Sequence, residues 1–465
     1  MEKTRRLTGR RHDTDMTQGS IIWHLLSFAL PLLVGNIFQQ LYNTVDTWVV
    51  GNYVSNEAFS AVGTVGPIIN VLIGTFSGLA SGAGVVISQY YGAKNNEKVH
   101  DVVHTAIAMT AVMTVLFTII GIAMAPMMLR FMKTPDSVFV EAKSYLTIYF
   151  SGMIGLLFYN MGAGILRAVG DSKHPFYFLV VAAVVNTVLD LVFVIVFKMG
   201  VQGVAWATVI AQCTSAVLTM GTLLSSHGAI RVIVKDIRIH MEMLKKIVRV
   251  GIPAALQMAV TSFSNVFVQS YINQFGAACM GGWTAYNKID QLIFLPMQSL
   301  ALASTTFVGQ NLGRGQVERA KKGVRTTLMM AFGSTIAISA VVIAFSSSLV
   351  KFFNSDAEVI EYGTLFLKYL TPFYVLCCVN QIYTGALRGS GDSRAPMVIM
   401  LCSFVAFRQL YLFVMSNFIS NEILPIAMSY PAGWALCSLL TLIYYHKKAN
   451  FSKNRLVSDS EIKPA

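Results

Sequence analysis

The chain has 465 residues, of which 55% are hydrophobic and only 12% are charged, and its formal net charge is +13. A soluble globular protein carries about 25% charged residues. This composition, with many long apolar runs, excludes a soluble enzyme, a disordered chain and a disulfide-rich secreted module. It predicts a polytopic α-helical membrane protein.

The apolar runs predict twelve transmembrane helices. A spanning helix needs about 20 apolar residues, and more when it is tilted or extends past the interface. In chain order the predicted helices are 22–50, 58–88, 98–126, 138–165, 175–198, 200–225, 245–275, 281–310, 321–349, 358–387, 395–418 and 422–446. The expected fold class is therefore an all-α membrane protein.

Lysine and arginine are concentrated on one side of the predicted membrane. Both tails and every second gap between helices hold most of the 35 Lys and Arg. Basic residues mark the cytoplasmic side, so we expect a multi-pass protein of the cell membrane with both termini in the cytoplasm. Because topology accounts for the basic excess, we expect no nucleic-acid partner. The six cysteines lie in or beside apolar helices and are interpreted as packing residues.

The second half of the chain repeats the first. The segment LRAVGDSKHP at 166–175 returns as LRGSGDSRAP at 387–396, an offset of 221 residues. Six helices per half let both halves enter from the same side, which predicts two six-helix lobes related by a parallel internal repeat. In both copies we expect the glycine to take a positive φ and the Asp and Ser to cap the next helix. The predicted domains are an N-terminal cytoplasmic tail 1–20, an N-lobe 21–226, a cytoplasmic linker 227–244, a C-lobe 245–446 and a C-terminal cytoplasmic tail 447–465.

Two acids, an amide and a hydroxyl fall at similar depths in the predicted N-lobe. A charge at bilayer depth costs at least about 2.5 kcal/mol, so an intramembrane acid suggests a function. With a rise of about 1.5 Å per residue, Asp46, Asn186, Asp190 and Thr208 share one layer in the outer half of the lobe. These oxygen ligands suit a small cation such as Na⁺, or a shared proton.

The predicted C-lobe carries its own charged residues. Lys288 and Asp290 are two residues apart on one helix, so they do not face each other. Arg408 reaches a depth similar to that of Asp290, which predicts an Asp290–Arg408 pair. This pair is interpreted either as a structural ion pair or as a substrate or coupling site.

Catalytic signatures are missing from the sequence. It contains no H-E-x-x-H, no G-x-S-x-G and no phosphate-binding G-x-x-x-x-G-K-[ST] loop. We therefore expect no enzyme, no catalytic residue and no cofactor, and transport driven by an ion gradient rather than by ATP.

Four features of the sequence carry a family resemblance. The first two are the stretch LYNTVDTWVVG at 41–51 and the duplicated Leu-Arg-x-x-Gly-Asp-Ser-x-x-Pro. Gln89 and Gly92 form a Gln-x-x-Gly turn that returns as Gln310 and Gly313. The fourth is the spacing Asn186-x-x-x-Asp190, followed by GVAWAT at 203–208. Together these stretches resemble the prokaryotic multidrug and toxic compound extrusion (MATE) transporters.

The resemblance implies twelve helices around a central cavity, and export of organic, often cationic and aromatic compounds in exchange for H⁺ or Na⁺. It implies a cation-coupling site at Asp46, Asn186, Asp190 and Thr208. Pro31 matches a helix 1 proline that the family ties to bending. Asp290 matches a second-lobe acid that is Glu in many relatives.

Substrate is expected to bind in a cavity between rocking lobes. The candidate lining residues are aromatic or carry amides, namely Gln40, Tyr42, Asn43, Tyr159, Asn160 and Gln381. The expected partners are small organic substrates and membrane lipid, and a monomer is expected. Two alternatives stay open: a flippase for a lipid-linked glycan or cell-wall precursor, and a membrane-embedded enzyme.

Overall fold

The computed structural model describes residues 14–54, 56–132, 134–226, 228–447, 449, 451 and 456–462. These residues are almost wholly helical and contain no strand. Parts of the predicted tails and linker lie outside the described residues, namely 1–13, 227, 448, 450, 452–455 and 463–465.

In the first half of the chain the described residues form seven α-helices joined by short turns. They are α1 (Ile21–Tyr53), α2 (Asn56–Gly92), α3 (Asn96–Phe131), α4 (Asp136–Ser151), α5 (Met153–Ala168), α6 (Lys173–Leu191) and α7 (Gly200–Ser225). A π-helical turn, Val192–Val196, extends α6. α1 is continuous through Pro31.

In the part of the second half that the structure describes, there are ten α-helices. They are α8 (Met241–Ile272), α9 (Ala277–Gly313), α10 (Val317–Ala344), α11 (Ser346–Phe353), α12 (Ala357–Leu370), α13 (Tyr374–Ser390), α14 (Arg394–Met400), α15 (Arg408–Val414), α16 (Ile423–Ala427) and α17 (Ser429–Lys447). Two π-helical segments, Leu401–Phe407 and Met415–Ile419, flank α15. Turns of this type recur at functional sites.

The helices are long and apolar enough to cross a membrane. Among the described residues eleven candidate spans are present, and α4 with α5 gives a twelfth when this pair, bent by 49°, counts as one span. Large apolar side chains on the outer faces are exposed, as lipid contact requires, for example Ile119, Val217 and Leu410. The predicted all-α membrane fold is confirmed.

The core consists of two clusters of buried residues, one for each lobe. Half of one helix from each lobe packs in the cluster of the other lobe. Leu25 and Phe28, in the first half of α1, are buried in the C-lobe cluster. Ile247 and Val250, in the first half of α8, are buried in the N-lobe cluster. Gly82 of α2 permits the second crossing, because a Cβ there would lie 2.5 Å from the Ile247 carbonyl oxygen. The first halves of α1 and α8 therefore cross between the lobes.

The lobes close on each other at the end of the bundle that carries both described chain termini, which we call the terminal face. Gln89 Nε2 donates to the Gly389 carbonyl at 2.8 Å, and Gln310 Nε2 donates to the Ala168 carbonyl at 2.9 Å. The two bonds are related by the repeat offset of 221 residues. They form a pseudo-symmetric glutamine seal between the lobes.

Both terminal segments bind to this seal. The Met16 N–H donates to Gln310 Oε1 at 3.0 Å, and the Leu456 N–H donates to Gln89 Oε1 at 2.7 Å. Asp15 forms an ion pair of 2.5 Å with Lys94. Burial raises the pKa of Asp15, but hydrogen bonds from Lys94 and Thr17 outweigh burial and lower this pKa below its ordinary value.

The repeated Gly-Asp-Ser segments act as turns, as predicted, but only the Asp side chains cap the next helix. Ser172 and Ser393 occupy the N-cap positions without a side-chain capping bond. Gly170 and Gly391 take φ values of +87° and +98°, where a Cβ would be strained. Asp171 Oδ1 accepts from the Lys173 N–H at 3.1 Å, and Asp392 Oδ1 accepts from the Ala395 N–H at 3.2 Å. Each turn thereby starts the next helix on the terminal face.

Candidate functional site

The N-lobe contains a cavity of about 470 Å³ whose wall carries three of the four predicted coupling residues. Asp46 of α1, Asn186 of α6 and Thr208 of α7 line it, and Asp190 lies fully buried one helical turn beyond Asn186. The carboxyl groups of Asp46 and Asp190 lie close enough to interact with each other. Since two carboxylates are both acceptors, this contact needs a proton or a cation between them.

Several buried polar atoms at this place have no hydrogen-bond partner among the described residues. They are one carboxylate oxygen of Asp46, both carboxylate oxygens of Asp190 and both amide atoms of Asn186. An unsatisfied buried polar atom costs about 1–3 kcal/mol, so such a cluster is unfavourable unless something binds it. A small cation held by oxygens, or a proton shared by the acids, would satisfy these atoms.

The rest of the N-lobe cavity is aromatic and amide-rich. Of the predicted cavity residues, Tyr42, Asn43, Tyr159 and Asn160 line it, and Pro31 lies on the same wall. Some are fixed in place: the Tyr159 hydroxyl donates to the Pro175 carbonyl at 3.2 Å, and Asn160 Nδ2 donates to the Leu156 carbonyl at 2.8 Å.

Sequence reasoning missed several polar residues of this cavity, among them Tyr145, Tyr149, Arg167 and Gln212. Gln212 Nε2 donates to the Tyr149 hydroxyl at 3.3 Å. The sequence places Arg167 among the basic residues between predicted helices, yet its side chain lines the cavity. A signal was available, because Arg167 lies seven residues after Asn160 and so shares its helix face.

The C-lobe contains a second cavity, of about 320 Å³, which Asp290, Arg408 and Gln381 line. The predicted ion pair is wrong: the described side chains of Asp290 and Arg408 form no salt bridge with each other. Asp290 accepts a hydrogen bond from the Tyr374 hydroxyl instead. Arg408 Nη1 donates to Ser264 Oγ and to Asn265 Oδ1, both at 3.2 Å. The two charged groups lie at similar depth and line the same cavity, but they do not pair with each other.

A third cavity, of about 740 Å³, lies between α1 and α9. Gln40 and Lys288 line it, so Lys288 faces a different cavity from Asp290, as their spacing predicts. Gln40 Nε2 donates to Gln291 Oε1 at 3.1 Å and joins α1 to α9. The predicted lining residues are thus distributed over three cavities rather than one.

Comparison with known proteins gives a consistent family. The MatE family model matches residues 31–192 and 253–411. The chain is 29% identical to the probable multidrug resistance protein YoeA of Bacillus subtilis, over 91% of this chain and 93% of that protein. It is 25% identical to the probable multidrug resistance protein NorM of Thermotoga maritima, over 93% of this chain and 95% of that protein.

The fold has solved counterparts. An outward-facing structure of a multidrug resistance MATE family transporter superimposes with a TM-score of 0.88 at 21% identity. The match covers 95% of this chain and 98% of that one. The two matched segments of the family model coincide with the two halves of the internal repeat. The chain belongs to the multidrug and toxic compound extrusion (MatE) family of membrane transporters.

Proposed function

We propose that the protein is a secondary active exporter of the cell membrane, which expels organic, cationic or aromatic compounds in exchange for H⁺ or Na⁺. The observation that carries this proposal is the cluster of unsatisfied buried atoms at Asp46, Asn186 and Asp190 beside an aromatic cavity. Membership of a transporter family, rather than of an enzyme class, supports it. So do the names of YoeA and NorM as probable multidrug resistance proteins.

The coupling ion would bind between Asp46 and Asp190. Na⁺ would take the two carboxylates, the Asn186 amide oxygen and the Thr208 hydroxyl as oxygen ligands. H⁺ would instead be shared between the two carboxyl groups. Either ion neutralises charge that is otherwise buried at a cost, so ion binding is coupled to the arrangement of α1, α6 and α7. Pro31 supplies the place where α1 would bend, because proline removes a helical hydrogen bond there.

The terminal face would be the cytoplasmic one. It carries Lys94, Arg319 and Lys321, and basic residues mark the cytoplasmic side. In the sealed arrangement the glutamine seal closes this side, and rocking of the lobes would break the seal to admit substrate. We propose that the transporter works as a monomer, without nucleic acid and without a cofactor other than the coupling ion.

The test is dye efflux from membrane vesicles, with the H⁺ and Na⁺ gradients imposed separately. Wild type is compared with Asp190→Asn, and with Glu361→Gln as a control that removes an exposed acid far from the cavity. We expect one gradient to drive efflux, Asp190→Asn to abolish it, and Glu361→Gln to leave it unchanged. Efflux that persists in Asp190→Asn would refute the coupling site. Absence of efflux under both gradients from well-folded wild type would refute drug export.

A further inference from the structure

The C-lobe cavity contains one acidic and one basic side chain that do not neutralise each other. Asp290 and Arg408 both line it, yet neither is the ionic partner of the other. Asp290 is held by the Tyr374 hydroxyl, which lies 3.0 Å from the Tyr286 hydroxyl. Both charged groups therefore interact with neutral neighbours, and among the described residues each lacks an ionic partner that a ligand could supply.

Arg408 is a buried cation without an anion. It is 2% exposed, and its guanidinium lies over the rings of Phe404 and Tyr430, at 4.6 and 4.4 Å from their centroids. Its hydrogen bonds to the described residues all come from Nη1, and buried Nε has no partner among them. A guanidinium stays charged in proteins, and a buried charge is costly unless it is paired. The site thus lacks the carboxylate that would normally accompany such an arginine.

The surroundings hold this guanidinium in place. A Cβ on Gly433 of α17 would lie 3.0 Å from Nε and 3.4 Å from Nη2, so a larger residue there would crowd the planar group. The π-helical segment Leu401–Phe407 ends directly before Arg408. Arg408 is therefore built into the wall in one orientation, with its planar fork preorganised for bidentate bonding.

The internal repeat shows that these charges are not part of the shared scaffold. At the offset of 221 residues, Thr187 stands at the place of Arg408 and Ile69 at the place of Asp290. The N-lobe forms the same six-helix architecture without either charge. Folding of a lobe does not require these two charges, so the free-energy cost of burying them in the C-lobe points to a role in binding.

The remaining walls of the cavity suit a flat ring system. Phe294, Tyr430 and Trp434 line it, with ring centroids of Phe294 and Trp434 separated by 6.5 Å and those of Tyr430 and Trp434 by 5.7 Å. Asn265 and Gln381 add amide groups. A volume of about 320 Å³ lies in the range of small-molecule sites.

We infer that the C-lobe cavity binds zwitterionic aromatic compounds, with the carboxylate of the compound on Arg408 and its cationic nitrogen near Asp290. This inference rests on the proposed export function and narrows its substrate class. A carboxylate supplies the missing counter-charge through a charge-assisted hydrogen bond to the guanidinium. A compound that carries only the cation leaves Arg408 uncompensated and binds more weakly.

Two dyes with the same chromophore test the inference. Rhodamine 110 carries a free carboxylate, and rhodamine 123 is its methyl ester. Their affinities for the purified full-length protein in neutral detergent are measured by fluorescence polarisation and corrected for partition into empty micelles. We expect wild type to bind rhodamine 110 about tenfold more tightly, since a charge-assisted bond is lost in the ester.

Three variants assign the preference to its residues. Arg408→Gln should bring the affinity ratio of the two dyes to about one, because only the carboxylate contact is removed. Asp290→Asn should weaken the binding of both dyes, because both carry the positive charge on the amino groups of the xanthene chromophore. Lys288→Gln is the matched control: it removes a cation from the cavity between α1 and α9 and should leave the ratio unchanged.

Equal affinity of wild type for the two dyes overturns the inference, and so does an unchanged preference in well-folded Arg408→Gln. If Arg408→Gln is not monodisperse, the test uses the affinity ratio of the two dyes in wild type and in Arg408→Lys. Arg408→Lys keeps the charge but loses the planar fork, so the inference expects a smaller carboxylate preference in this variant than in wild type. Efflux of both dyes without a carboxylate preference would overturn this inference and leave the proposed export intact. A carboxylate preference in binding without gradient-driven efflux would support this inference and overturn the proposed export.

Discussion

Gly92 and Gly313 let α2 and α9 touch at the terminal face. A Cβ on Gly92 would overlap the carbonyl oxygen of Gln310, and a Cβ on Gly313 would overlap that of Gln89. Backbone atoms cannot rotate away as a flexible side chain can, so Gly92→Ala must push the lobes apart. Overpacking of a well-packed contact costs about 1–3 kcal/mol. If this contact is lost when the lobes open, the closed-to-open ratio should fall about 5- to 150-fold.

Distances between two spin labels measure this shift. Asn96→Cys at the start of α3 and Glu318→Cys near the start of α10 place labels at exposed positions on the two lobes. Cys402, which is exposed, and Cys213, which is half-buried, are replaced first. Pulsed electron resonance should show a longer-distance population in Gly92→Ala that is small or missing without the substitution.

Gly333→Ala is the control for this experiment. A Cβ at Gly333 meets no atom within 4 Å, and alanine favours a helix over glycine by about 0.5–1 kcal/mol. The control should therefore keep the distance distribution and lose no stability. An identical distribution in Gly92→Ala and the control would refute closure of the lobes on a glycine contact.

Three further outcomes are expected. Gln310→Ala leaves the Met16 N–H and the Ala168 carbonyl without their partner, and it should lower the free energy of unfolding by about 1–3 kcal/mol in thermal unfolding. The control, Gln202→Ala at an exposed position, should change it by less than about 0.5 kcal/mol. The folded-state pKa of Asp15 is lowered, so its attachment to Lys94 is complete above its ordinary pKa and is lost only as the pH falls through the lowered value. Hydrogen exchange in this tail, corrected for intrinsic rates, should stay constant from about pH 5 to 8, while Asp15→Asn should raise it throughout. Pro31→Ala should raise the unfolding temperature, because alanine is about 3 kcal/mol better inside a helix, and should slow ion-driven dye efflux.

The helices and the repeat were predictable because they depend on local properties. Apolar length, charge placement and Gly-Asp-Ser turns can be read without knowing what packs against them. Every predicted span overlaps a helix, and α7 has the predicted bounds Gly200–Ser225. The meeting of Asp46 with Asp190 followed from depth, since the rise of a helix converts a residue number into a height.

The side-chain partners were not predictable in the same way. Depth does not determine the direction in which a side chain points, so Asp290 and Arg408 reached one cavity without pairing. The segment around Met16 reads as a polar tail, yet its backbone binds Gln310 of a helix 294 residues away. No local pattern contains that bond. The repeated Gln89 and Gln310 marked the place, but not the two chain ends that bind there.

The exchanged halves of α1 and α8 affect how the protein is made. During synthesis the N-lobe emerges first, and its core lacks Ile247 and Val250 until α8 has been inserted. Leu25 and Phe28 must meanwhile wait for C-lobe helices that have not yet been translated. Each lobe therefore needs part of a helix from the other half of the chain to complete its core. Neither half, expressed alone, contains a complete core.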